Sequence, residues 1–233
     1  MRTADPTIIR DDFIAALTEA EASLSSILGA GLGADTQRAA AEASFITLGV
    51  LAEGFLSDLV IAYINKKSAA FIKRIEGSFE VTLKDDKDEI AARGRTLMVV
   101  RSSKRHLTLT KIKQILNVER DNLSVVNDVD KLLEFAGLSL AAPYKARFTG
   151  LSAGDKAVLK AVRGIRNFLA HRSAGAHGRM KAALSGANLP AHLRRPKNAV
   201  NDVGSYLLAH TANGKRVLVY YSSMKALAHA LCP

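Results

Sequence analysis

The residues best suited to chemistry stand close together late in the chain, in the segment KAVLKAVRGIRNFLAHRS. This segment contains an arginine, an amide and a histidine in quick succession: Arg166, Asn167 and His171. A histidine exchanges protons near neutral pH, and an arginine can hold a phosphate through two parallel hydrogen bonds. These residue types suffice for cleavage of RNA without a metal, because the 2′-hydroxyl of RNA can itself be the nucleophile.

The motifs of nucleotide-binding loops and of common metal sites are missing from this sequence. GAGLG at 29–33 lacks both a preceding strand and the GxGxxG spacing, and no glycine-rich phosphate loop followed by lysine is present. The single cysteine, Cys232, stands next to the last residue and is a poor candidate for a nucleophile. The six histidines form no HExxH pair, and the chain has no CxxC. We therefore expect neither a metal nor another cofactor.

The segment around the motif has the pattern of an amphipathic helix over residues 152–171. Its apolar face is formed by Val158, Val162, Ile165 and Leu169, and its opposite, polar face by Lys160, Arg163, Asn167 and His171. Arg166 and His171 lie five positions apart, which is about 140° round such a helix. They converge only if the helix ends or bends near Ala170, if the long arginine side chain closes the gap, or if a second copy of the helix contributes.

The spacing of arginine and histidine is by itself weakly specific. It occurs three times, at Arg101–His106, Arg166–His171 and Arg172–His177. Only the middle copy has asparagine directly after arginine. The structural alternative is that Arg166 pairs with a carboxylate and that His171 caps the C-terminal end of its helix, where a cation is favourable.

Charge divides the chain into two unlike parts. Residues 1–90 contain 9 Lys and Arg against 15 Asp and Glu, whereas residues 91–233 contain 24 against 7, so that the total of +11 combines −6 with +17. The basic part favours a polyanionic partner, with nucleic acid first, and the alternative is a solvated surface that keeps the protein soluble. The residues expected to contact RNA are Lys160, Arg163, Arg172, Arg179, Arg194 and Arg195.

The elements that must position these residues are predicted to be helices, in an all-α chain that forms a single domain over residues 1–233. Asp5-Pro6 marks the start of a first helix at 6–29, which should end at Gly29 to Gly33. Asp35 should cap a long second helix at 35–66, the expected spine of the fold. Further helices are predicted at 68–76, 88–102, 110–117, 124–136 and 152–171, the fourth of them capped by Ser124 and closed by Gly137.

The end of the chain is less regular. Residues 173–198 are rich in Gly, Ala, Pro and Arg, which predicts a mobile basic loop that either contacts an RNA backbone or is only a connection. Asn213-Gly214 is a hairpin signal between 203–210 and 217–221. A helix, a turn and a second helix fit these residues nearly as well and are slightly favoured.

One apolar stretch, Phe45 to Ile64, is long enough to span a bilayer. It carries Glu53 and Asp58 at mid-membrane depth, so we interpret it as a buried core helix and expect no membrane partner. The first residues lack the basic-then-apolar pattern of a signal peptide, and a single cysteine favours a reducing, cytoplasmic setting.

On the motif RNFLAH, late in a small helical chain, this sequence resembles the HEPN (higher eukaryotes and prokaryotes nucleotide-binding) superfamily. The early segment VLAEGFLSDLVIAYI is similar to the acidic-plus-aromatic helix of some branches, including the one linked to RNA-ligase-like and phosphatase-like proteins. The resemblance implies a helical bundle and a metal-independent endoribonuclease of toxin, antiphage or RNA-processing type. It also implies a homodimer whose two motifs form one cleft, and an antitoxin or defence protein as a further partner.

The family roles transfer to matching positions. His171 would be the general acid and base, Arg166 would bind the phosphate, Asn167 would order the site, and Glu53 would be a fourth member or would simply pair with an arginine. The sequence departs from one branch, because Ser173 stands where toxins silenced by nucleotidyl transfer have tyrosine. The alternative function is a non-catalytic module with the same fold that binds RNA or a nucleotide. A DNA-binding regulator is less favoured, because no helix-turn-helix pattern stands out.

Overall fold

The computed structural model describes residues 4–75, 106–116, 128–197 and 199–233. Within these ranges the chain is almost entirely helical, which confirms the all-α prediction. The helices are α1 (Pro6–Gly29), α2 (Ala34–Lys66), α3 (Leu109–Ile115), α4 (Val129–Ser139), α5 (Ala142–Thr149), α6 (Ala153–His171), α7 (Ala174–Ser185), α8 (Val203–Leu208) and α9 (Arg216–Leu231). Residues 69–75 are also helical, and a two-stranded hairpin, β1 (His210–Thr211) and β2 (Gly214–Lys215), precedes α9.

Helix α1 begins and ends where the sequence predicts. The Asp5 side chain accepts a hydrogen bond from the Thr7 backbone N–H at 3.0 Å, and Pro6 occupies the first turn, where its missing N–H does no harm. The helix ends at Gly29, and Gly31 takes a positive φ of 69° in the turn that leads to α2. Phe13 stacks on Phe55 of α2 with ring centroids 4.4 Å apart, which fixes α1 against the long helix.

Helix α2 is the centre of the fold. Its 33 residues give a length of about 50 Å, and an apolar stripe along it is buried throughout: Phe45, Leu48, Ala52, Phe55, Leu59 and Ala62. Between Phe55 and Asn65 burial extends round the whole helix, with Asp58 alone exposed in that stretch. By length and composition α2 could cross a membrane, but 61% of its most apolar window is buried inside the protein, as in a core helix. The predicted cap is wrong, because the N-cap is Gly33 and Asp35 lies inside the first turn.

The buried C-terminal half of α2 carries polar groups that form hydrogen bonds with distant segments. The Tyr63 hydroxyl donates to the Leu231 carbonyl at 2.7 Å and accepts from Arg147 Nη1 at 2.7 Å. The Asn65 amide donates to the Leu107 carbonyl at 2.9 Å. These bonds hold α9, α5 and the segment before α3 against α2. Breaking them would leave buried polar groups without partners, which costs free energy.

Helix α6, which carries the motif, has both predicted faces. Ser152 and Asp155 form a reciprocal capping box at its start, and its four predicted apolar residues are all buried. After His171, Arg172 adopts the left-handed conformation with φ of 48°, and the chain reverses into α7. Helix α7 therefore returns antiparallel along α6.

The predicted loop at 173–198 is wrong, because much of it is helical and packed. Helix α7 occupies residues 174–185, with its N-cap at Ser173. Its core contacts are made by Ala176, Met180 and Leu184, which are spaced one turn apart, and Leu189 and Leu193 beyond the helix are also buried. This sparse apolar pattern is hidden in the sequence by the surrounding Gly, Ala and Arg residues.

The remaining predictions agree with the structure only in part. Helix α4 is capped by Asp128 and continues past Gly137 to Ser139, whereas the predicted cap, Ser124, and the predicted helix at 88–102 lie outside the described residues. Helix α5 was not predicted. At the C-terminus both readings hold in part, because two helices flank a hairpin whose strands are two residues each, with Gly214 at φ of 100°.

Candidate functional site

The Arg166 side chain is positioned by helix α2. Its aliphatic part lies across Gly49, where an added Cβ would be 2.5 Å from Arg166 Cγ. One turn further along α2, Glu53 Oε2 accepts a hydrogen bond from Arg166 Nη2 at 2.9 Å. Arg166 Nη1 donates to Asn167 Oδ1, also at 2.9 Å. Gly49 and Glu53 are four residues apart and lie on the same face of α2. Helix α2 therefore provides both the surface on which the arginine packs and the carboxylate that binds its guanidinium.

The Arg166–Glu53 pair lies at the edge of the core. The side chains are 23% and 14% exposed, respectively, and Arg166 Nε is buried without a hydrogen-bond partner in the described residues. A guanidinium has five N–H donors, and two of them are used by Glu53 and Asn167. One N–H remains on each terminal nitrogen, so Arg166 can still donate two hydrogen bonds to an anion without leaving Glu53.

His171 is the last residue of α6 and is exposed. It makes no hydrogen bond or ion pair with the described residues, and α6 runs without interruption from Ala153 to His171. The two ends of the motif therefore do not meet within one chain through a bend at Ala170. Asn167, one turn before His171, joins the arginine side of the motif.

Arg172 connects three elements at the end of α6. Its Nη2 donates to Glu42 Oε2 on α2 at 2.5 Å, and its guanidinium lies over the Phe168 ring at 5.3 Å. The other oxygen of Glu42 accepts the backbone N–H of Gly204 at the start of α8, at 3.1 Å. Arg172, a predicted RNA contact, therefore forms an ion pair within the chain.

A cleft of about 600 Å³ opens beside the motif, between α6, α7 and the start of α4. It gathers three of the predicted RNA contacts, Lys160, Arg163 and Arg179, together with Asn167. Lys160 pairs with Asp130 of α4 at 2.8 Å. Arg179 is exposed and has no ion pair with the part of the chain that the structure describes.

The pKa of Arg163 is shifted by its surroundings in this cleft. Burial lowers the pKa of its guanidinium, while the Glu53 and Asp128 carboxylates act in the opposite direction. Its Nε atom is buried and has no hydrogen-bond partner in the described residues. Arg163 therefore contributes a partly buried positive charge to the lining of the cleft.

Arg194 and Arg195, the other predicted RNA contacts, do not line this cleft. Arg194 Nη1 donates to the Ala187 carbonyl at 3.3 Å, and Arg195 Nη1 donates to the Arg194 carbonyl at 2.7 Å. They belong to the turn after α7.

Three residues of the site were missed by reasoning from the sequence. Gly49 packs against the aliphatic part of Arg166. In the sequence, only its position one turn before Glu53 indicated a link to the site. Asp128 caps α4 and Asp130 pairs with Lys160; the NDVD segment before an apolar run is a helix-start signal that could have located both. Among the described residues no group of three or more His, Cys, Asp and Glu side chains is arranged to hold a metal ion.

Comparisons of the chain with models of known families, with curated proteins and with solved structures find no match.

Proposed function

We propose that this chain is a metal-independent endoribonuclease that acts as a homodimer, with His171 as the proton-transfer group and Arg166 as the phosphate-binding group. The observation that carries the proposal is the Glu53–Arg166–Asn167 array. It fixes a guanidinium with two terminal N–H donors to spare, on the same helix as an exposed histidine. A cation held in place before substrate binds loses little free energy to reorganisation when charge develops on the phosphate.

The reaction uses groups of the RNA and of the protein only. A neutral His171 takes the proton from a 2′-hydroxyl, and the 2′-oxygen forms a bond to the adjacent phosphorus as the bond to the 5′-oxygen breaks. Arg166 stabilises the negative charge on the phosphate oxygens. The departing 5′-oxygen takes a proton from a protonated histidine, which leaves a 2′,3′-cyclic phosphate or, after hydrolysis, a 3′-phosphate.

A second copy of the chain accounts for the separation within the motif. Arg166 faces α2 and His171 lies about 140° further round α6. Two copies related by a two-fold axis would place the histidine of each beside the arginine of the other, and would supply both the base and the acid. This arrangement also agrees with the resemblance of RNFLAH to the HEPN motif.

The second candidate is a non-catalytic module that binds RNA or a nucleotide, and the same ion pair favours it. Glu53 already neutralises Arg166, and the pair joins α2 to α6 whether or not a substrate is present. In that case Arg166 is a structural residue, and RNA binding rests on the cleft and the basic surface.

Cleavage of end-labelled RNA in EDTA tests the proposal. We expect wild-type protein to cleave, His171→Ala to lose cleavage, and His229→Ala, which removes an exposed histidine from the last turn of α9, to cleave normally. Cleavage by His171→Ala at the wild-type rate, or cleavage only with added metal, would overturn the nuclease. Salt-dependent RNA binding without any cleavage would support the module instead.

Growth after induction tests the proposed biological setting, a cytoplasmic toxin or defence nuclease controlled by a partner protein. We expect growth arrest with wild-type protein and normal growth with His171→Ala at equal protein abundance. Equal growth in both cases would contradict a toxic role.

A further inference from the structure

The cleft beside the motif continues into a second cavity along the same two helices. The second cavity has a volume of about 360 Å³, and it shares Lys160, Ala182 and Ala183 with the cleft of about 600 Å³. Together the two form one groove between α6 and α7, which we call the α6–α7 groove. It follows α6 from Ala153 to Asn167, where it reaches the motif.

Four cations line this groove. Lys156, Lys160 and Arg163 are spaced one turn apart on α6, and Arg179 faces them from α7. Lys156 and Arg179 form no ion pair with the described residues, whereas Lys160 pairs with Asp130. The groove therefore carries cations that no carboxylate of the described residues neutralises.

Two carboxylates also border the groove, and both have partners. Asp128 accepts hydrogen bonds from the backbone N–H groups of Asp130 and Lys131 as the cap of α4. Asp130 pairs with Lys160. Positive charge remains in excess because Arg163, Arg179 and Lys156 outnumber the one carboxylate, Asp128, that is not paired with a lysine.

The walls of the groove determine what it can hold. Small residues form its floor, and the helices approach closely at Gly164, where an added Cβ would be 3.2 Å from Met180 Cα. None of the residues lining the two cavities is aromatic. A groove between packed helices, whose axes are typically about 8–10 Å apart, is too narrow for a duplex. Without aromatic rings it offers bases no stacking surface.

We infer that the α6–α7 groove binds the sugar-phosphate backbone of single-stranded RNA and leads it to Arg166 and Asn167. This inference rests on the proposed function for the identity of the polyanion. The part of α6 from Lys156 to Asn167 is about 16 Å long, so the groove holds only a few nucleotides on one side of the scissile phosphate. Binding there is independent of base sequence, because phosphates are contacted and base edges are not.

The test measures binding separately from cleavage. All proteins carry His171→Ala, so that RNA is not consumed, and fluorescence anisotropy of a labelled single-stranded RNA is recorded over a range of salt concentrations. The groove variant is Lys156→Gln with Arg179→Gln. The matched control is Lys111→Gln with Lys145→Gln, which removes the same charge from exposed positions on α3 and α5.

The groove variant is expected to bind more weakly and to lower the slope of log K against log salt by about 1.4, or about 0.7 for each lost phosphate contact. The control should bind like its parent. Lys156→Arg with Arg179→Lys keeps the charge and should restore binding, which separates loss of contact from loss of fold. A duplex of the same sequence should bind no more tightly to the parent than to the groove variant.

Unchanged binding in the groove variant, or equal weakening in the control, would overturn the groove, even where His171 proves essential for cleavage. Weakened binding in the groove variant alone would support the groove, even where the chain proves to cleave no RNA.

Discussion

Because Gly49 contacts Arg166, a substitution that adds a single methyl group at Gly49 tests the position of the motif. In Gly49→Ala the new Cβ would lie 2.5 Å from Arg166 Cγ and 2.7 Å from Arg166 Cβ. Carbon atoms in contact prefer about 3.5–4.0 Å, so roughly 1 Å of overlap must be relieved. The arginine atoms concerned are at the base of the side chain. Either α2 and α6 move apart, or Arg166 changes rotamer and leaves Glu53.

The expected cost follows from two opposing terms. Overpacking of this kind costs about 1–3 kcal/mol of unfolding free energy. Replacing glycine by alanine within a helix gains about 1 kcal/mol. Gly49→Ala should therefore be up to about 2 kcal/mol less stable than wild type. Gly54→Ala is the matched control in the same helix, because an added Cβ there meets nothing within 4 Å. It should be more stable than wild type, by up to about 1 kcal/mol.

Urea unfolding followed by circular dichroism measures both variants. The difference between them isolates the steric term, since the gain in helix propensity is common to the two. If Gly49→Ala is stabilised as much as Gly54→Ala, Arg166 does not lie across Gly49 and the proposed site geometry is wrong. RNA cleavage should fall in Gly49→Ala and stay at the wild-type level in Gly54→Ala.

Three further outcomes are expected. Glu53→Gln should lower the unfolding free energy by about 1–3 kcal/mol, because it leaves the half-buried Arg166 without its anion. The control, Glu134→Gln at an exposed position, should leave urea unfolding unchanged, and an equal effect of the two variants would contradict the Glu53–Arg166 ion pair. Asp128→Ala should cost about 1 kcal/mol as a lost helix cap. Backbone hydrogen bonding lowers the pKa of Asp128, so the wild type should lose that advantage as the pH falls below 3.8, and a pH-independent difference would contradict it. Burial raises the pKa of Tyr206 to about 12, so unfolding free energy should fall as the pH rises above about 10, where unfolded tyrosine ionises. Ionisation of all five tyrosines near pH 10 without unfolding, measured by phenolate absorbance, would refute this.

Local signals predicted the early helices and the motif helix well. The Asp5-Pro6 start of α1, the buried stripe of α2 and the two faces of α6 each follow from periodicity and capping within one element. Such patterns are reliable because the residues that produce them are neighbours in the chain.

Predictions that needed contacts between elements were less complete. Helix α7 carries few apolar residues, and it is stable because α6 covers Ala176, Met180 and Leu184, which the sequence of 173–198 does not reveal. From the sequence, Glu53 was either a fourth member of the site or simply the partner of an arginine. Its pairing with Arg166 depends on how α2 and α6 pack over Gly49, which no local pattern reveals. Lys160 and Arg172 were expected to contact RNA, and the structure gives each a carboxylate from a distant helix, Asp130 and Glu42.

The Glu53–Arg166–Gly49 contact also affects how the motif can change in evolution. Selection for folding alone would retain this arginine, because its loss would leave a carboxylate unpaired at the core edge and a gap over a glycine. His171 is exposed and makes no bond that the fold requires, so only the proposed activity would retain it. A descendant of this chain that kept Glu53, Gly49 and Arg166 but lost the histidine would still fold. Conservation of the arginine would then record ancestry, and only the histidine would record whether the proposed reaction had survived.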